Sequence, residues 1–148
     1  MGLLAIGLAL AAMQALSPQT SAAQGTTIMP NTPPLTDAYG KLITVPTTGR
    51  QMVISYSFRN FDDKPRDFLG LFEVINSDGV TELLAWQTGT MPPVDDQGIA
   101  GTTSMGVSWQ PDKASTYQMR IFTLSNLEKP ESLSAPVTSE ITVSESED

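Results

Sequence analysis

Met52-Val53-Ile54-Ser55-Tyr56-Ser57-Phe58-Arg59 decides the fold. Met52, Ile54, Tyr56 and Phe58 fall on one side of an extended chain, while Ser55, Ser57 and Arg59 fall on the other with Val53. Side chains of a strand alternate between faces with period two, so the stretch reads as a strand with one dry and one wet face. Strands of that kind belong to antiparallel sheets, in which one face can be left to water.

The same period recurs downstream. Thr103, Met105, Val107 and Trp109 alternate with Ser104, Gly106, Ser108 and Gln110. Tyr117, Met119 and Ile121 alternate with Gln118 and Arg120, and Val137, Ile141 and Val143 oppose Thr138, Glu140 and Thr142. Residues 68–75 are apolar on both faces apart from Glu73, as in a central strand covered on two sides. Asn76-Ser77-Asp78-Gly79 supplies a hairpin turn with Gly79 free to take positive φ, and residues 80–88 return as the partner strand. The unbroken Leu83-Leu84-Ala85-Trp86 leaves the facing of that strand open. Upstream, residues 42–45 read as a short first strand, stopped by Pro46 and the turn Thr47-Thr48-Gly49. Polar loops fill 61–66 and 89–100, and no segment after residue 24 keeps a helical period. Short strands so spaced predict an all-β protein, a seven-stranded antiparallel immunoglobulin-like β-sandwich over residues 47–143 with its first strand just upstream.

The N-terminus reads differently. No charge precedes Asp37, and residues 3–16 are an apolar run shorter than the ~20 residues a membrane-spanning helix needs. With the small residues Ser21-Ala22-Ala23 after it, residues 1–23 read as a hydrophobic signal segment, or as a retained anchor helix. The expectation is an exported protein, extracellular or at the cell surface. Residues 24–46 carry Pro30, Pro33 and Pro34 and form an extended, stiffened arm that includes the first strand. Residues 144–148 are an acidic, solvated tail.

Composition excludes most chemistry. The 148 residues include neither His nor Cys. A Ser-His-Asp triad, a His-ligated zinc or haem and a His₂Cys copper site are therefore out of reach. So is an inter-sheet disulfide, and the two sheets must be held by packing. No glycine-rich phosphate loop is present, and no cofactor is implied. A net charge of −8 repels nucleic acid phosphates and anionic lipid, which leaves the membrane as a partner only if the N-terminal segment is retained.

One stretch resembles a known family. Trp109-Gln110-Pro111-Asp112-Lys113-Ala114-Ser115-Thr116-Tyr117-Gln118-Met119-Arg120-Ile121-Phe122 is similar to the Trp-x-Pro…Ala-Gly-x-Tyr-x-x-x-Val/Ile segment of adhesion-related, CARDB-like modules of prokaryotic, especially archaeal, secreted cell-surface proteins. The resemblance covers residues 50–143 and implies a structural corner. A strand ends at Trp109 and Pro111, and Tyr117 opens the next with its ring in the core and its hydroxyl on backbone near the corner. Ser115 stands where the family has glycine, which supplies positive φ at the corner, so the turn geometry is expected to differ there.

Few residues can carry function. Asp62-Asp63 and Asp95-Asp96 lie in polar turns, where paired acids are ordinarily just solvated; Asp95 and Asp96 are the candidates for Ca²⁺. Trp109 falls on the inward parity and belongs to the core. Trp86 and Phe122 are the candidates for a binding face, Phe122 because it falls on the outward parity of its strand. The resemblance and the export segment imply a non-catalytic module that binds an envelope protein or a glycan. The alternatives are an assembly subunit, self-associating through its N-terminal arm or helix, and a carboxylate-dependent glycoside-acting enzyme.

Overall fold

Residues 33–146 are those the computed structural model describes, and they contain seven strands and no helix. The strands are β1 (Leu35–Thr36), β2 (Met52–Asn60), β3 (Arg66–Ile75), β4 (Thr81–Met91), β5 (Gly101–Trp109), β6 (Ser115–Leu124) and β7 (Val137–Val143). They form two antiparallel sheets, β1-β2-β5 and β4-β3-β6-β7. The signal or anchor segment expected at residues 1–23, and residues 24–32 of the proline arm, lie outside the described residues.

The alternation of β2 is realised residue by residue. Met52, Ile54, Tyr56 and Phe58 are buried, and they face Phe72 and Val74 of β3 together with Tyr117, Met119 and Ile121 of β6 in one core cluster. Each large side chain so buried contributes about 1.5–3 kcal/mol, which is what binds two sheets lacking a disulfide. β3 is central, between β4 and β6, but it is not fully covered on both faces: Phe68, Phe72 and Val74 face the core, while Leu71, Glu73 and Ile75 on the other face are only half-buried.

The first strand sits earlier than expected. Only Leu35–Thr36 pairs with β2, while Leu42 makes an isolated bridge to Thr36 and the Ile43 N–H donates to the Leu35 carbonyl at 2.8 Å. The cause is the intervening turn. The Asp37 carboxylate accepts the amides of Tyr39 and Lys41, and Gly40 takes φ 81°, so the chain reverses at once. Within residues 42–45 only Ile43 enters the core; Leu42 and Val45 are exposed. The same device recurs at Asn76 with Gly79 and at Asp95 with Gly98: an Asx oxygen holds the second and fourth amides ahead of it, and a glycine follows at positive φ. Asx-x-x-Gly is thus a repeated turn of this chain. After Pro46 the backbone crosses to the other sheet. Thr47 bridges Ser144 in parallel, and the Thr48 and Ser146 amides donate to Ser144 O and Thr48 Oγ1, so the start of the acidic tail is tied down rather than frayed.

The corner is built around a tyrosine. Tyr117 is fully buried, its ring meets Trp109 edge-on at 4.9 Å and 76°, and its hydroxyl donates to the Lys113 carbonyl at 2.8 Å. Pro111 is buried and its carbonyl accepts the Gly49 N–H. Among the described residues no non-glycine residue has positive φ, so Ser115 opens β6 without strain where the resembling segment has glycine. Burial, then the Glu82 and Asp112 carboxylates, push the Tyr117 phenol above its ordinary value near 10. A raised folded value means that this stabilisation is complete below about pH 10 and is lost as pH climbs through the folded pKa. Tyr117→Phe is expected to cost about 1 kcal/mol at pH 7 and to flatten the alkaline loss of stability, though not abolish it. Tyr56, also raised by burial, remains. Urea unfolding of both proteins at neutral pH and above pH 10 checks this; parallel pH profiles would refute it.

Candidate binding face

β4 is an edge strand, and that settles the facing its sequence left open. Leu83 and Ala85 turn inward and are half-buried, whereas Leu84 and Trp86 turn outward and are 55% and 59% exposed. Among the described residues these two are the only large exposed hydrophobics inside strands; the others lie in turns and loops.

Register extends the patch across the sheet. Trp86 pairs with Leu71 of β3, and Leu71 pairs with Phe122 of β6, so the three side chains stand in one row on the outer face. Neighbouring strands lie about 4.8 Å apart, which separates the Trp86 and Phe122 backbones by about 10 Å. On one side the next row is Thr88, Leu69 and Leu124; on the other it is Leu84, Glu73, Arg120 and Thr138. Arg120 and Glu73 are paired at 2.8 Å, and the Arg120 guanidinium lies 6.0 Å from the centre of the Phe122 ring, at the limit of a cation–π contact. The row is therefore an apolar strip bordered by a neutralised ion pair. Its net charge is zero on a chain of −8.

Trp86 and Phe122 are thus brought onto one face, with Leu71 between them. Leu71 and Leu84 were not singled out from the sequence; their place depends on register, which period two does not specify. Trp109, Pro111 and Tyr117 lie buried in the corner described above. The candidates for Ca²⁺ are not gathered into a site. Asp95 spends a carboxylate oxygen on the amides of Gln97 and Ile99, at 2.9 and 2.8 Å, and among the described residues no three acidic side chains come together to hold a metal. Asp62 is paired with Arg66 at 2.9 Å. The outer face of the other sheet is different in kind. Ser57 bonds Ser104 and Gln51 bonds Ser108, so its polar groups are turned on each other.

No protein-family model matches the chain, and no curated protein matches it by sequence. Solved structures do match. The CARDB domain of a Pyrococcus furiosus protein, determined in complex with di-metal ions, superposes with TM-score 0.52 at 10% identity over 69% of this chain and 86% of that one. The C-terminal domain of wzt superposes with TM-score 0.59 at 12% identity over 84% and 76%. A β-glucuronidase of glycoside hydrolase family 2 matches at TM-score 0.50 and 8% identity, but over only 10% of its own length. At these identities the likeness is one of fold, and the expected resemblance to CARDB-like and immunoglobulin-like modules holds at that level.

Proposed function

We propose that this CARDB-like sandwich is a non-catalytic interaction module, exported to the cell surface, that binds another envelope protein or a glycan through the outer face of β4-β3-β6-β7. One observation carries the reading: Leu84 and Trp86 are held open to water inside a regular strand, Trp86 in register with Leu71 and Phe122 and Leu84 in the adjoining row. An exposed tryptophan in a contiguous apolar strip costs solubility and adds nothing to the core, and such strips mark contact surfaces. The leader-like residues 3–16 and the absence of His and Cys support export and a non-catalytic role.

Trp86→Ser separates binding from folding. Because the side chain is mostly exposed, stability should change by less than about 1 kcal/mol. Retention of the purified protein on isolated envelopes of the source cells should fall at least about tenfold, the loss of roughly 1.4 kcal/mol or more of binding. Pre-treating the envelopes with protease tells the partner classes apart, since a glycan survives it and a protein does not. Unchanged retention of Trp86→Ser and Phe122→Ser would remove this face from the reading.

A further inference from the structure

Sheet edges are ordinarily shielded by brevity, charge, proline or a bulge. β1 is two residues long and preceded by Pro33-Pro34; β7 carries Glu140, and residues 46–48 bind its C-terminal end. β4 has none of these protections along most of its length. It runs for eleven residues, no residue from 83 to 94 is charged, and its register with β3 is unbroken from Leu83 to Met91. Among the described residues it is paired with β3 alone. β5, the edge of the other sheet, is likewise uncharged and lies against β4. From Leu83 onward this flank carries no charge, on a chain of net charge −8.

We infer that β4 pairs with itself: two copies of the chain join antiparallel, β4 to β4, about a two-fold axis near Gln87, merging two four-stranded sheets into one. Like copies of an acidic protein repel one another over most of their surface, and a neutral flank is where they can touch. A basic partner drawn to the −8 surface would find no counter-charge at β4. Antiparallel pairing about a two-fold also needs no second sequence, because the strand is its own complement. With the axis at Gln87, Trp86 stands across from Thr88, Leu84 from Thr90 and Glu82 from Pro92, so no two carboxylates meet. Residues directly opposite share a face, so the two Trp86-Leu71-Phe122 rows end on the same side as one continuous band. Two binding faces then engage a repetitive surface together, and avidity replaces single-site affinity. The dimer does not depend on that face binding anything, and either reading can fail alone.

The chain has no cysteine, so an engineered one reports by itself. In the full chain, Gln87→Cys places two thiols across the axis, and Thr142→Cys, exposed on β7, is the control. Under mild oxidation Gln87→Cys should form a disulfide dimer at least about tenfold faster than Thr142→Cys. By sedimentation equilibrium Gln87→Glu, which sets like charges opposite each other, should dissociate at least about tenfold more readily than wild type. An equimolar mixture of Gln87→Glu and Gln87→Lys should recover dimers. Equal cross-linking at both positions, a wild-type chain that is monomeric throughout, or a Gln87→Glu protein that associates as wild type does would each overturn the inference.

Discussion

Trp109→Ala is expected to lower the stability of the fold by about 3–5 kcal/mol, roughly a fifth or more of the 5–15 kcal/mol a domain of this size possesses. The ring is 5% exposed, ends β5 opposite Met52, and meets Tyr117 edge-on. Truncation removes apolar burial and also the aromatic partner of the corner tyrosine. The cavity cannot collapse easily, because Tyr117 is pinned by Lys113 and Pro111 by Gly49. Cost rises with the volume that stays empty, so a pinned site belongs at the upper end of the range. Trp109→Phe keeps an aromatic ring against Tyr117 and should recover more than half of the loss. Urea unfolding followed by circular dichroism measures both. Fluorescence is the poorer probe, since Trp86 is the remaining indole and is already in water. A loss under about 1 kcal/mol for Trp109→Ala would mean that the corner does not hold the two sheets.

How far the sequence could be read follows from which interactions are local. Period two is a property of single strands, and it correctly turned inward Met52, Ile54, Tyr56, Phe58, Met105, Trp109, Tyr117, Met119, Ile121, Ile141 and Val143. It could not orient Leu83-Leu84-Ala85-Trp86, because an edge strand with an apolar outer face shows no alternation. Nor could it place Leu71 beside Trp86 or Arg120 beside Glu73, since those neighbours are set by register between strands remote in sequence. The first strand went astray for a local reason. The Asx turn at Asp37 was readable, for Asn76-Ser77-Asp78-Gly79 is the same device, but residues 42–45 show the better alternation. The backbone gives the pairing to Leu35 and Thr36 instead. Asn60 escaped altogether. At inward parity in β2 it looks like a strand end, yet it is fully buried, and its partners are up to 32 residues away.

Those partners form a knot at one end of the sandwich. The Asn60 Nδ2 donates to Lys64 O at 2.8 Å and to Pro92 O at 3.0 Å, while its Oδ1 accepts the Asp62 N–H at 3.0 Å. One side chain thus fixes both the β2–β3 turn and the exit of β4. Gly101, directly opposite Asn60 in the register, completes the knot: a β-carbon there would overlap the Pro92 carbonyl. The obstacle is backbone, which cannot swing aside as a flexible side chain can. Gly101→Ala should therefore push residues 92–93 outward and break the Asn60–Pro92 bond as well, at a total of roughly 2–4 kcal/mol. Asn60→Ala, which leaves the part-buried Lys64 and Pro92 carbonyls without this donor, should cost about the same. Since both changes destroy one shared bond, the double variant should lose less than the sum, with a coupling of about 1 kcal/mol or more in a double-mutant cycle. Denaturant midpoints of the four proteins supply that cycle. Additivity within about 0.5 kcal/mol would show that Gly101 and Asn60 act through separate contacts, and that the Pro92 carbonyl is not the point where the β2–β5 pair and the β4 exit are locked together.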